Sequence, residues 1–311
     1  MNDKTLSIGV DVGGSHIACA AVDLTRGELL PATLSRVEVD SMGPAASIFD
    51  AWSMALNQTI AHIDSSQLAG IGFAMPGPFD YLNGVSKMEH KFPALFEKTI
   101  ADELQPLLQT SAAMPMRFLN DATSFAVGEA WLGRGQGARK VVAVTLGTGF
   151  GSAFIDSGVP VVARDDVPGE GCLWYLPFAD GIADDYFTTR WFIRQFEVVS
   201  GRRVRGAKDV ADQARDGDAT AREVFEHYGA SMGEFLAPWL QKFAADSVVL
   251  GGNISGAYDL FGPSLKTSLE AVCPGTGVEV SELGETAAMI GAARLLDARF
   301  WDQVSIQLPR I

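Results

Sequence analysis

Residues 8–23, IGVDVGGSHIACAAVD, and residues 141–156, VVAVTLGTGFGSAFID, follow one plan: an apolar strand, a glycine-rich bend and a second apolar strand that ends in an acid. Apolar runs on either side of a short glycine turn fold back on each other as a β-hairpin. A Walker loop or a Rossmann fingerprint needs a helix directly after its glycines. No helix pattern follows either bend, and the Walker lysine is missing, so both architectures are excluded. Gly13 and Gly147 lie 134 positions apart, about one domain length. A chain that opens two such segments with the same hairpin is expected to fold as two related α/β halves around a cleft, each half aiming the backbone amides of its bend outward. One glycine turn of this kind is common in any β-rich protein, and two with matching flanks are not. Facing bends could hold a polyphosphate from both sides through N–H groups.

Elsewhere the pattern is strands followed by helices. PAASIFDAWSMALNQTIAHI has apolar residues at helical spacing, LAGIGFAMPGPFD is a strand running into a Pro/Gly turn, and ALFEKTIADELQPLL is again helical. Residues 183–197 and 219–243 predict helices, DSVVLGGNISG a strand with a glycine turn, and ETAAMIGAARLLDARF a late helix. SGRRVRGAKD, residues 200–209, has the composition of a mobile basic loop.

Charge and cysteine content narrow the function classes. With 24 basic and 38 acidic residues the net charge is -14, which repels polyanions and argues against nucleic acid or an anionic membrane as partner. A small anion can still be met by backbone amides or through a metal ion. The three cysteines, at 19, 172 and 273, form no CxxC pair. They predict neither a disulfide framework nor a four-cysteine metal site, and they fit a reducing cytoplasm. The N-terminal apolar stretch meets Asp11 before it reaches signal-peptide length, and no uninterrupted apolar run is long enough to span a membrane.

Three segments carry a family resemblance that covers nearly the whole chain: DVGGSHIACAAVD, then LNDATSFAVGEAWLGRGQGARKVVAVTLGTGFGSAFID, then VVLGGNIS. Together they resemble the ROK family of sugar kinases, which share the two-domain actin-like, sugar-kinase and Hsp70-type fold. The block from LNDA to LGTGFG is its most specific part. The resemblance implies that Gly13, Gly14 and Ser15 of the first bend and Gly147, Thr148 and Gly149 of the second approach the phosphates of ATP, with Mg²⁺ supplying the charge that a Walker lysine supplies elsewhere. Asp11 would hold that ion through water, and Gly251, Gly252 and Asn253 would lie by the adenosine. A satisfied turn acid at Asp11 and a plain left-handed turn at 251–253 are the structural alternatives.

Asp121 is the expected catalytic residue. A sugar hydroxyl is a poor nucleophile at neutral pH, and a carboxylate within hydrogen-bond reach can orient it and accept its proton, a contribution of roughly 10²–10⁴-fold. Asn120 would serve adjacent hydroxyls. Asp121 also stands where an N-cap is needed for the ATSFAVGEAW helix, and a carboxylate engaged by amides would be a weaker base. Further sugar contacts are expected from Gly77 and Pro78 in AMPGPFD and from Glu170 in PGEGC. His90 in KMEHKFPALF lies where relatives close over the sugar, with a surface histidine as the alternative.

The chain departs from the family pattern at GEGCLWYLPFADGIADDYFTTRWF. Cys172 stands near the place of the family's histidine, and the other thiols of its zinc cluster are missing. One candidate ligand cannot make a tetrahedral zinc site, so no zinc is expected. The aromatic residues Trp174, Tyr175, Phe178, Tyr186, Phe187, Trp191 and Phe192 are expected to hold this region together by packing.

The resemblance therefore implies ATP-dependent phosphorylation of a hexose at its 6-hydroxyl, glucose first, with ATP and Mg²⁺ as cofactors and a homodimer as in many relatives. Two alternatives stay open: a catalytically silent sugar- or nucleotide-binding protein, and a sugar-responsive regulator. The regulator is disfavoured because only seven residues precede the Ile8 strand, with no room for a helix-turn-helix. The expected halves are residues 1–119 and 120–294, with a final helix over 295–311 returning to the first.

Overall fold

The computed structural model describes residues 4–110 and 112–311. They form two compact units, Met1–Gly133 with Glu285–Ile311, and Arg134–Gly284.

The first unit is built on a sheet whose strands run in the order Glu28–Leu29, His16–Asp23, Leu6–Val12, Leu68–Met75 and Met116–Asn120, with Ser35–Glu38 also pairing to His16–Asp23. Leu6–Val12 and His16–Asp23 are the antiparallel arms of the first hairpin, in a register that sets Val10 opposite Cys19. Leu68–Met75 and Met116–Asn120 join in parallel, with Met75 opposite Asn120. The nearly unbroken apolar run of Leu68–Met75 follows from burial on both faces. The helix Ala45–Ile60 inserts Phe49, Trp52 and Leu56 into this core.

A second helix, Thr286–Arg294, lies between the sheet and the helix Asp121–Leu132. Besides Met289 and Ile290, its buried residues are all small: Ala287, Ala288, Gly291, Ala292 and Ala293. Small residues are required there. A Cβ on Gly291 would lie 1.8 Å from the Ser124 carbonyl oxygen, and one on Gly72 of the sheet 1.9 Å from the Ala292 oxygen. Side chains at these positions would force backbone apart from backbone.

This packing moves the expected boundaries. Asp121–Leu132 belongs to the first unit, and the chain returns to that unit at Glu285, whereas the sequence suggested breaks after 119 and 294. The single late helix is also two: Asp297 accepts from the Phe300 amide at 2.9 Å and starts a new helix, Ala298–Val304. Arg117 fixes this end by donating to the Leu295 oxygen at 2.5 Å while its guanidinium lies 4.2 Å over the Trp301 ring.

The second unit repeats the plan. Its sheet runs Val159–Pro160, Phe150–Asp156, Lys140–Leu146, Ser247–Gly251, Gly277–Val280, again with an antiparallel hairpin and a parallel strand beside it. Phe154, Phe187, Phe192, Phe196, Tyr228 and Phe243 fill the core. The aromatic-rich replacement segment divides: Phe187, Trp191 and Phe192 are buried, Phe178 and Tyr186 pack against them, and Trp174 remains 46% exposed beside Tyr175.

Two helix expectations and one loop expectation change. Residues 183–197 break into Ala183–Tyr186 and Thr189–Ser200. ALFEKTIADELQPLL yields only Ile100–Leu104 as α-helix, bounded by left-handed Glu97 and by Pro106. The basic stretch 200–209 is tied down by ion pairs, Arg202 to Asp218 at 2.6 Å, Arg203 to Glu197 at 3.3 Å and Arg205 to Asp209 at 3.2 Å, and its last residues enter the helix Ala207–Arg215.

Candidate active site

In the first unit two strand ends carry the expected carboxylates. Leu6–Val12 ends in Asp11 and Val12 before the Gly13–Ser15 bend, whose Gly13 amide donates to the His16 oxygen at 2.9 Å. Gly14 and Ser15 are exposed. Met116–Asn120, two strands away, runs directly into the helix that Asp121 begins.

Here the structure separates two roles that the sequence had placed on one residue. The helix is capped by Asn120, whose Oδ1 accepts from the Thr123 amide at 3.1 Å and from its hydroxyl at 3.3 Å. Asp121 is the first helical residue; its carboxylate accepts from the adjacent Ala122 amide at 2.8 Å, with its own amide and the Asn120 side chain also lowering its proton affinity. Its carboxylate is therefore not consumed by capping. Asn120 is correspondingly less available than expected, because its acceptor serves the helix and its Nδ2 donates to the Tyr81 hydroxyl at 3.2 Å. That hydroxyl donates in turn to the Met75 oxygen at 3.2 Å. A Cβ on Gly77 would lie 3.4 Å from the same hydroxyl, so Tyr81 gathers Gly77, Met75 and Asn120 around one point. Gly77 and Pro78 are exposed, as is His90.

The electrostatics are those of a crowded acid pair. Burial raises the Asp121 carboxyl above its ordinary value, opposed by Lys91 and by the Ala122 amide. Asp11 is raised to about 7, first by burial and then by the negative charges of Asp121 and Glu285, with Lys91 and Arg36 opposing. Two buried carboxylates of this kind, only partly offset by Lys91 and Arg36, fit a hydrated Mg²⁺, which takes one or two carboxylates and completes its shell with water and phosphate oxygens. Among the described residues no group of three or more His, Cys, Asp or Glu side chains is placed to hold a metal.

In the second unit the Gly147–Gly149 bend is exposed at Thr148 and Gly149 and is braced from beneath. The Gly147 oxygen accepts from the Thr189 amide at 2.8 Å and from its hydroxyl at 3.0 Å. Asp184 accepts from the Phe150 amide at 2.8 Å. The Gly251–Asn253 turn sits against this bend. Gly252 has φ +80 and lies so close that a Cβ would meet the Leu146 oxygen at 2.4 Å, so both the left-handed turn and the close backbone approach are present at one residue. Glu170 is exposed in a left-handed conformation, φ 58. Beside it burial and the Glu170 charge push the Cys172 thiol up to about 12, which keeps it protonated near neutral pH.

Sequence reasoning missed Lys91, Tyr81 and Asp184. Lys91 is adjacent to His90, the residue singled out in its place. Nothing in local spacing distinguishes it from Lys87 or Lys98, and only the fold brings it to the two carboxylates.

The ROK family model matches residues 7–170 and 192–299. The glucokinase of Thermotoga maritima is 27% identical over 95% of this chain and 98% of its own length. The Escherichia coli transcriptional repressor Mlc is 24% identical over 81% of this chain and 69% of its own length. Among solved structures, a ROK family glucokinase from Streptomyces griseus in complex with glucose and AMPPNP superimposes with a TM-score of 0.73 at 24% identity, covering 93% of this chain and 98% of that one. A sugar kinase from Cytophaga hutchinsonii, described as putative, gives 0.76 at 21%, covering 94% of this chain and 99% of its own. The matched family pattern spans both hairpins and the Asn120–Asp121 strand end, and the chain therefore belongs to the ROK family, with its actin-like ATPase fold.

Proposed function

We propose that this protein is an ATP-dependent sugar kinase that phosphorylates a hexose at the 6-hydroxyl, with glucose the first candidate. The observation that carries the proposal is the state of Asp121: a carboxylate at the start of a helix, left out of capping, with its proton affinity raised by burial. A base works best when its proton affinity approaches the operating pH. Asp121 orients the hydroxyl and takes its proton as the oxygen attacks the γ-phosphorus of ATP, the bond to the β-phosphate oxygen breaks, and ADP leaves. Gly77 and the Tyr81–Asn120 pair border the acceptor. The Gly13–Ser15 and Gly147–Gly149 bends and the Gly251–Asn253 turn serve the nucleotide. Asp11 would hold Mg²⁺ through water, and a bound ion would supply positive charge to the phosphates.

The test is a hexose panel with coupled detection of ADP, repeated on Asp121→Asn. We expect turnover on at least one hexose and its loss by a factor of about 10²–10⁴ in the variant, with nucleotide binding nearly unchanged. A variant retaining a tenth of normal turnover removes Asp121 from this role. A sugar-binding protein without turnover is the second reading, favoured by Cys172 in place of the family's histidine beside an exposed Glu170. The absence of sugar-dependent ADP production, with sugar still bound, would leave that reading standing. The net charge of -14 favours an enzyme acting on a small molecule over a nucleic-acid binder.

A further inference from the structure

A phosphoryl group moving toward Asp121 must pass two carboxylates that repel it, so the cations nearby decide whether the passage is favourable. Two oppose the charges of this pair. Arg36 already pairs with Glu285 at 2.8 Å. Lys91 acts on both Asp11 and Asp121, and among the described residues it has no carboxylate within ion-pair distance. Its Cε lies 3.4 Å from the position a Cβ would take on Gly14, which places the lysine stem against the first hairpin bend.

The backbone that delivers Lys91 is unusual. Phe92, the next residue, adopts the left-handed conformation with φ 55 and ψ 47, which is disfavoured for a bulky side chain. It is held there by full burial, by a T-shaped contact with Trp52 at 5.5 Å, and by its oxygen accepting from the Leu95 amide at 2.9 Å. Strain maintained by surrounding packing is a mark of functional positions. Here it fixes the chain turn that directly follows Lys91.

We propose that Lys91 is a phosphoryl-binding catalytic residue, its ammonium pairing with the γ-phosphate of ATP beside the Gly13–Ser15 bend while that group transfers to the hydroxyl held by Asp121. The proposal rests on the sugar kinase assignment above. Lys91 keeps its proton throughout: the proton released by the hydroxyl goes to Asp121, the new O–P bond replaces the bond to the β-phosphate oxygen, and Lys91 offsets the charge carried by the group in transit.

The experiment compares wild type, Lys91→Met and Lys91→Arg for binding of MgATP and MgADP by calorimetry and for steady-state kinetics on the best hexose. In Lys91→Met we expect MgATP affinity to fall about tenfold with MgADP affinity unchanged. We also expect kcat to drop by about 10²–10³, hexose KM to change less than threefold, and Lys91→Arg to recover part of both losses. An ATP-to-ADP affinity ratio unchanged in Lys91→Met overturns the proposal. A raised hexose KM with kcat preserved also overturns it and moves Lys91 to the acceptor, where its charge would select an anionic sugar. If wild type binds nucleotide but phosphorylates no sugar, the kinase assignment fails, while the ATP-to-ADP comparison still decides whether Lys91 meets the γ-phosphate. Lys91→Gln, neutral and of similar length, supplies the same ATP-to-ADP comparison if Lys91→Met does not fold, and an unchanged ratio there overturns the proposal equally.

Discussion

Replacing Asp11 by asparagine should make the protein more stable while disabling it. The Asp11 carboxyl titrates near 3.8 when exposed and at about 7 in the folded chain, because it is largely buried and faces Asp121 and Glu285, with only Lys91 and Arg36 opposing them. Between those two values the folded state keeps the proton and the unfolded state has lost it, so the folded state binds more protons and stability falls as pH rises through the window. A displacement of about three pH units corresponds to roughly 4 kcal/mol. Residual solvent contact at Asp11 makes this an upper figure, and about 2–4 kcal/mol is the expected gain for Asp11→Asn at pH 8 without Mg²⁺ or nucleotide. For a unit of this size that is on the order of 5–10 °C in its melting temperature. Calorimetry of both proteins from pH 4 to pH 8 provides the assay: the difference should be small near pH 4 and grow to its full value above pH 7. Mg²⁺ with nucleotide should then stabilise wild type and leave the variant unchanged. A variant no more stable than wild type at pH 8, or a difference independent of pH, would refute the picture of a carboxylate held ionised at a cost.

The remaining predictions concern different links. Gly291→Ala, whose new Cβ would lie 1.8 Å from the Ser124 oxygen, should destabilise the first unit by about 3 kcal/mol or more in urea unfolding; an effect under 1 kcal/mol would show that the two helices separate easily. The pH profile of kcat/KM should rise with pH along a limb above the ordinary carboxylate range, because protonated Asp121 cannot accept a proton and its carboxyl is raised. A limb centred near pH 4 would contradict the burial of that group. Asp184→Ala removes the 2.8 Å acceptor of the buried Phe150 amide and should raise the KM for MgATP several-fold, a loss of about 1–2 kcal/mol, with hexose KM unmoved. An unchanged MgATP KM would mean the second bend holds its shape without that bond.

What was legible in the sequence was whatever short-range pattern specifies. The two hairpins, the helix Ala219–Phe243 and the placement of Asn120 and Asp121 at a helix start all follow from apolar periodicity and turn residues within a few positions. The exchange of roles between Asn120 and Asp121 was not legible, because either side chain can cap and the choice depends on which residue keeps extended backbone angles. Lys91 and Tyr81 could not be found locally, since one is delivered by the left-handed Phe92 and the other meets Asn120 across the sheet. The displaced unit boundaries have the same origin. Thr286–Arg294 reads as an ordinary late helix until its small residues are seen docked between Asp121–Leu132 and a sheet made far earlier in the chain.

That docking has a consequence for biosynthesis. The first unit is encoded at both ends of the chain, so the nascent N-terminal sheet leaves the ribosome with one apolar face bare and must wait for Glu285–Ile311 to cover it. At about 5–20 residues per second the intervening stretch takes on the order of ten seconds to synthesise. The second unit is contiguous and can close during that wait, which makes it the half expected to resist proteolysis on stalled ribosomes and the first half the client for chaperones.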